Sequence, residues 1–388
     1  MDQVRASEKQ VRMEAFRELM ASRELRAVIA VGNGCVGTNA YGCFRYLTDI
    51  HVKYHLSSAV FFRERPPVGI LPDDASVREA AAGFLKELTV SRDPVETMIS
   101  LLREEGVFKG KVGTFLDILP YSWYARLTEA FPAMELVDIA EDVFRIRNHH
   151  SPTEVEKLLR CGEIADAGYR AVLESVRPGM TEQQLVAEIE HATQRMGAEE
   201  NFTLISSGRF SLEDNQLLPI RAATMFNRTL EKGDSVAMEI TPRYQGYWTQ
   251  LVRTVSVGEE NEDLKRMHAV CEAVIQGTLR ELYPGNRIGN IANRVRFLTE
   301  QAGYQFALPC GHICGLDLNE ERLSPDNDRL LEVGMTVILH PSIITPKIRN
   351  GIFWGQTYLI TEQGFQCLMK SGQELNCIMH KEEENALS

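Results

Sequence analysis

Apolar and polar positions divide the chain into short strands and amphipathic helices. Residues 8–25 carry apolar side chains at helical spacing (Val11, Met13, Phe16, Leu19, Met20), and the pattern then changes to a continuous apolar run at 27–32. Similar short runs recur at 58–62, Val68–Leu71 and 111–116, with helical patterns near 77–88, Pro94–Glu104 and 120–129. Strands alternating with helices predict an α/β layer architecture with a mainly parallel sheet. Near residue 150 one apolar pattern ends and another opens. Ser151 as N-cap, Pro152 in the first turn and Glu154 three residues after the cap predict a helix start. Helices are expected over 153–176 and 181–196, the second with a box-like Thr181-Glu182-Gln183-Gln184 start. A strand at 201–207 and a loop at 208–211 follow.

Residues 233–258 read as a β-hairpin. Val236 to Ile240 alternate, Pro242 to Gly246 supply turn chemistry, and Tyr247 to Val257 are rich in β-branched and aromatic residues. Two more helices are expected at 262–282 and 287–302, then strands that include Thr336–Leu339 and 355–360. Two helices and a hairpin, then two helices and more strands, form a weak internal duplication.

Composition narrows the function classes. The 388 residues suffice for two or three domains with real cores. A net charge of −12 without a dense Lys/Arg run argues against nucleic acid or an anionic membrane as partner. The charged, amphipathic start lacks the apolar core of a signal peptide, and no run is long enough to span a bilayer, so a cytoplasmic location is expected. Eight scattered cysteines suit free thiols in a reducing compartment. Cys310-Gly311-His312-Ile313-Cys314 has no second cysteine pair and reads as packing rather than a zinc knuckle. Gly32-Asn33-Gly34 is too short a match for a dinucleotide site.

The Gly233-Asp234 lead-in and the Gly246-Tyr247-Trp248-Thr249-Gln250-Leu251-Val252-Arg253-Thr254 return strand together resemble the metal-binding hairpin of the prolidase, aminopeptidase P and creatinase superfamily. The resemblance implies an α/β N-terminal domain over 1–150, an α+β pita-bread domain over 151–388, a homodimer and a small-molecule substrate. Phe44-Arg45-Tyr46-Leu47-Thr48-Asp49 is similar to a strand of the family's N-terminal domain, which in some members reaches the partner's active site. Arg45 is on that ground a candidate for a substrate carboxylate; a local surface pair is the plainer reading. The family's metallopeptidases hold two divalent metals with four carboxylates and a histidine. By the same resemblance those positions fall on Glu239, Gln250, His312, His340 and Gly355, or Gln356 if the register slips by one. His312 lies in Gly311-His312-Ile313-Cys314-Gly315-Leu316, which keeps the family pattern. The supporting histidines fall near Arg221-Ala222 and on Asn319.

One carboxylate does not balance two adjacent dications, so a dinuclear site is not expected. Glu239, His312 and His340 would still suit a single Fe(II) or Zn(II), with Gln250 adding a carbonyl oxygen; otherwise no cofactor is expected. Metal-free members of the superfamily, creatinase among them, break a C–N bond in a small guanidino acid with a histidine base. On that model His312 or His340 is the general base and Glu239 orients it or binds a cationic group. Gln250 and Asn319 bind polar atoms, and Arg221, Arg253 or Arg45 takes a carboxylate, although Arg253 also reads as a structural pair. Tyr247, Trp248 and Phe353-Trp354 are wall or core candidates. A C–N hydrolase, a mononuclear metalloenzyme with oxidative or lyase chemistry, and a non-enzymatic binding module all stand as readings.

Overall fold

The apolar run after the first helix, α1 (Asp2–Ser22), becomes β1 (Ala27–Asn33), and alternation decides what each face meets. Ala27, Ile29 and Val31 pack with Val95, Met98 and Leu102 of α3 (Pro94–Glu104), beyond the short α2 (Gly42–Thr48). On α1, Phe16 meets Phe61 edge to face, 5.2 Å between ring centres. The computed structural model describes residues 2–33, 38–39, 42–51, 56–73, 76, 84–210, 227–307, 309–344 and 351–379. Its contacts group into two compact units, Met1–Ser151 and Pro152–Ser388.

In the first unit, β1 joins β2 (Leu56–Phe62), β3 (Val68–Leu71), β4 (Glu87–Val90), β5 (Lys109–Thr114) and β6 (Ala133–Asp138) in the order β4-β3-β2-β1-β5-β6. The helices α4 (Tyr121–Ala130) and α5 (Ala140–Arg147) flank β6 in the chain. The sheet is mixed rather than mainly parallel: β1–β2 and β2–β3 run antiparallel, while β1–β5, β5–β6 and β3–β4 run parallel. The connection Arg63-Glu64-Arg65-Pro66-Pro67 is too short for the crossover that a parallel pair needs.

Two further expectations change here. Residues 44–49, expected as strand, lie in and just after α2, where Thr48 Oγ1 donates to the Phe44 carbonyl at 2.7 Å. Phe44, Tyr46, Leu47 and Thr48 are all buried, and a short apolar run buried on every side has no period to separate helix from strand. The helical pattern at 77–88 runs into β4, and residues 77–83 lie outside the described residues. His150, expected at a solvated joint with His149, is buried, whereas His149 is exposed.

The second unit carries α6 (Pro152–Ser175), α7 (Glu182–Arg195), α8 (Glu262–Thr278) and α9 (Ile288–Gln301). Its main sheet contains β7 (Glu200–Arg209), β8 (Asp234–Tyr244), β10 (Leu251–Val257), β17 (Gly355–Thr361), β14 (Thr336–Leu339), β12 (Gly311–Cys314) and β13 (Glu321–Arg322), in that spatial order. Three strands join its margins: β9 (Tyr247–Trp248) on β8, β18 (Gly364–Cys367) on β17 and β19 (Asn376–Ile378) on β10. A second small sheet holds β11 (Gln305–Ala307), β15 (Ser342–Ile344) and β16 (Gly351–Phe353).

The β8 hairpin turns at Gln245 (φ 48°) and Gly246 (φ 90°), the two successive positive angles of a tight type I′ turn. The turn is narrower than expected, because Pro242 sits inside β8 opposite Asn201. Two buried carboxylates lock the approach to this hairpin. Asp234 pairs with Arg228 and accepts from the Glu231 amide at 2.7 Å. Glu182 accepts from Ser207 N (3.0 Å), Ser207 Oγ (2.7 Å) and Arg228 N (3.1 Å), just inside the Thr181–Gln184 capping box. Glu182→Ala strands these donors and lowers the unfolding free energy by about 3 kcal/mol, read as a shifted urea midpoint.

Candidate functional site

The register of the main sheet decides which side chains meet. Glu239 on β8 lies opposite Val252 on β10, and Val252 lies opposite Gly355 on β17. Thr357 pairs with Ile338 on β14, and Ile338 pairs with His312 on β12. With side chains alternating along each strand, Glu239, Thr241, Val252, Gly355, Thr357, Ile338 and His312 share one face. His340 follows β14 on the same face, its ring centre 5.4 Å from that of His312 and 4.9 Å from that of Phe353. Gln250 interrupts the return strand between β9 and β10. Its amide reaches Thr357 Oγ1 at 2.9 Å, Thr357 Oγ1 donates back to the Gln250 carbonyl at 3.0 Å, and its Nε2 donates to Thr241 Oγ1 at 3.3 Å.

Four of the expected site residues, Glu239, Gln250, His312 and His340, are thereby brought to one face, all buried. The contacts among them differ from expectation. Glu239 makes no hydrogen bond or ion pair with either imidazole; His312 Nδ1 instead lies 3.4 Å from the Ile313 carbonyl. His340 Nδ1 and Gln250 Oε1 are buried without a hydrogen-bond partner among the described residues. Burial alone pushes the Glu239 carboxyl up to about 7. Burial pulls His312 down to about 4, against the opposing pull of the Ile313 and Leu318 carbonyls. It pulls His340 down to about 3, with His312 adding in the same direction. Both rings are neutral at pH 7, and Glu239 is the group poised there. Among the described residues no three His, Cys, Asp or Glu side chains converge closely enough to hold a metal ion. Glu239, His312 and His340 therefore share a face without forming the expected three-ligand set.

Arg253 does not lie on this face. It is one residue out of phase with Val252, so it projects from the reverse face, fully buried. There its Nη1 donates to the carbonyls of Val252 and Gly355 at 2.9 Å each, and its Nη2 donates to Gln356 Oε1 at 2.8 Å. Trp354 covers it with its ring centre 4.7 Å away. Gln356, the slipped-register alternative, belongs to this reverse network and also accepts from Gln373 at 2.7 Å. The Phe353-Trp354 pair divides accordingly, Phe353 against His340 and Trp354 against Arg253.

Trp248 packs with Cys314, Leu318 and Ile338 in the core, and Tyr247 donates its hydroxyl to Glu154. Asn319 lies half-buried in the loop between β12 and β13. Arg45 sits on α2 in the first unit, 3.8 Å from Asp49 one turn on. Arg221 lies outside the described residues. Sequence reasoning missed Thr241 and Thr357, whose hydroxyls hold Gln250; their two-residue spacing from Glu239 and Gly355 is the signal that finds them. The described cysteines are free, and Cys310 and Cys314 are buried packing residues.

Gly355 is required by crowding. A Cβ there would lie 2.1 Å from the Leu339 carbonyl oxygen and 2.5 Å from His340 Cα. Gly355→Ala is expected to cost about 2 kcal/mol of stability in chemical denaturation. Arg253→Met is expected to cost about 3 kcal/mol or more by stranding the acceptors around it. Arg253→Lys recovers little, because one ammonium does not span Gly355 and Gln356.

The pH dependence follows from the signs. His312 and His340 have folded values below the unfolded 6.5, so their contribution is complete above 6.5 and is lost as pH falls toward 4 and 3. Glu239 has a folded value above its ordinary 4.5, so its burial costs stability as pH rises from 4.5 through 7. Glu239→Gln should be more stable than the parent at about pH 8, by about 3 kcal/mol, in urea unfolding. The His312→Asn/His340→Asn double variant should lose the acid limb.

Comparison with known proteins agrees with this architecture. Residues 156–362 match the model of metallopeptidase family M24, and residues 12–149 match that of the creatinase/prolidase N-terminal domain. The Xaa-Pro dipeptidase of Pyrococcus furiosus is 28% identical over 262 residues, 66% of this chain and 73% of that protein. An uncharacterized peptidase of Bacillus subtilis is 27% identical over 270 residues, 68% of this chain and 74% of its own length. The prolidase structure from Pyrococcus horikoshii OT3 superposes with a TM-score of 0.80 at 23% identity, over 94% of this chain and 99% of that one. The X-Pro aminopeptidase structure from Thermotoga maritima MSB8 gives 0.77 at 20% identity, over 92% and 98%. An M24-family match across more than half the chain, joined to a creatinase-type N-terminal domain, makes this protein a member of the M24 family with a pita-bread C-terminal domain.

Proposed function

We propose that this chain is a hydrolase of the M24 type that breaks a C–N bond in a small amino- or guanidino-acid by proton transfer, without a pair of metal ions. One observation carries the reading: among the described residues the shared face holds a single carboxylate, Glu239, raised to about 7 by burial, beside two neutral imidazoles. The other positions that the resemblance assigns to metal-binding carboxylates hold Gln250, His340 and Gly355, and at Gly355 the backbone leaves no room for a side chain. One negative charge does not balance two dications, so that donor set does not fit the family's metal pair.

The expected roles then exchange. Glu239, with an acidity matched to neutral pH, is the group that takes the proton from an attacking water. His312 and His340, neutral throughout, hydrogen-bond the reacting atoms instead of acting as base. Gln250, held through its backbone by Thr357 and through Nε2 by Thr241, keeps its side-chain Oε1 available for a polar substrate atom.

A second reading follows from the names of the relatives, several of which are Xaa-Pro dipeptidases. One assay separates the two: Xaa-Pro dipeptides and small guanidino acids offered with chelator, then with Mn(II), Co(II) or Zn(II). Under the proposal, turnover survives chelation and kcat rises with pH through about 7. Glu239→Gln removes that limb and lowers kcat by about 10²-fold or more. Dipeptide turnover that appears only with added metal overturns the proposal in favour of the dipeptidase. No turnover of either class overturns both and leaves a binding module.

A further inference from the structure

We propose that a second cavity of the C-terminal unit, on the Arg253 side of the main sheet, binds a small zwitterion, an α-amino acid with an uncharged apolar side chain. Arg170 takes its carboxylate and Glu374 its ammonium. The inference does not rest on the reaction proposed above and concerns a different face.

The cavity holds about 420 Å³, a volume in the range of small-molecule sites. One wall is α6, where Glu163, Asp166, Arg170 and Leu173 recur at three- and four-residue spacing and so share one helix face. The other wall is the segment after β18, with Lys370, Ser371, Gly372 and Glu374. Tyr169 also lines the cavity, and its ring centre lies 5.8 Å from the Arg253 guanidinium, on the side of the sheet away from Glu239. Leu173 and Met196, both half-buried, add apolar surface.

Which charges are free follows from how the segment after β18 is held. Asp166, one turn before Arg170, is placed to be its i,i+4 partner. Its carboxylate instead accepts from the Lys370 amide at 2.8 Å, the Ser371 amide at 2.9 Å and the Ser371 hydroxyl. Glu163 is held by Arg160 at 3.0 Å and Lys370 at 3.2 Å. Arg170 is left with no hydrogen bond or ion pair among the described residues, and so is Glu374. The two line one cavity without pairing with each other. Glu374 folds back over Gly372, where a Cβ would collide with its carboxylate.

One free guanidinium on the helix and one free carboxylate on the facing segment select the ligand. A simple anion meets Arg170 but also the carboxylates of Glu163, Asp166 and Glu374. A simple cation meets Glu374 but also Arg170 and Lys370. A zwitterion gives each free group an opposite charge, with the planar guanidinium suited to a carboxylate, and rests its side chain on Leu173 and Met196. Both charged residues are exposed, so a ligand reaches them without displacing a packed side chain.

The test is calorimetric titration of the full-length protein, with chelator to keep metal–amino acid complexes out, at about pH 6.5, where an α-amino group is charged. L-leucine and L-methionine are the zwitterions. L-leucinamide carries only the positive charge and N-acetyl-L-leucine only the negative one. At least one zwitterion should bind about fivefold or more tighter than either analogue. Arg170→Gln should abolish the advantage over leucinamide, and Glu374→Gln the advantage over N-acetyl-leucine. Glu239→Gln should leave the zwitterion's affinity unchanged. Thermal melts verify that the variants fold.

An analogue binding as tightly as the zwitterions, no zwitterion binding, or unchanged discrimination in either folded wall variant overturns the inference. So does loss of binding in folded Glu239→Gln, which would place the ligand on the site face. The hydrolase proposal fails separately, on turnover alone.

Discussion

Strand register is the constraint on which everything in the C-terminal unit depends. Because side chains alternate across a sheet, the pairings Glu239–Val252, Val252–Gly355, Thr357–Ile338 and Ile338–His312 sort residues from five strands onto one face. A slip of one position anywhere along that ladder would exchange Gly355 with Gln356, or Val252 with Arg253, and turn the face over. The tight turn at Gln245-Gly246 fixes the first pairing, and the Arg228–Asp234 and Glu182–Ser207 contacts hold the strands that lead into it. Positioning here is a property of the sheet before it is a property of any side chain.

The two faces of the sheet have opposite electrostatic character. On the reverse face Arg253 is buried with neutral partners, carbonyls and the Gln356 amide, and burial lowers the proton affinity of its guanidinium. On the site face a carboxyl and two imidazoles are buried with few partners of any kind, and burial moves each toward its neutral form. The site is thus close to uncharged at pH 7, with one proton easily moved. A group near its midpoint suits proton transfer better than either fully charged extreme.

Much of this was legible in the sequence, and the limits have physical causes. The helices Pro94–Glu104, Pro152–Ser175 and Glu182–Arg195 carry strong helical periods and clear start signals, and the structure keeps all three. The hairpin followed from its strand pattern and turn residues, and Glu239, Gln250, His312 and His340 from the family resemblance. By contrast, β6 shows one buried residue, Met134, and carries almost no apolar alternation to read. Residues 44–48 lie in a helix whose apolar side chains are all buried and so show no period. Contacts were less legible than positions. That Glu239 bonds neither imidazole, and that Arg253 faces away, depend on phase and rotamer, which a motif does not encode. Acidity was least legible of all, since it depends on how completely water is excluded.

The crowding at Gly355 has an evolutionary consequence. The obstruction is main chain, the Leu339 carbonyl and the Cα of His340, so no smaller residue at position 340 relieves it. Any single substitution that puts a side chain at 355 is therefore penalised by the main chain before it adds a group to this face.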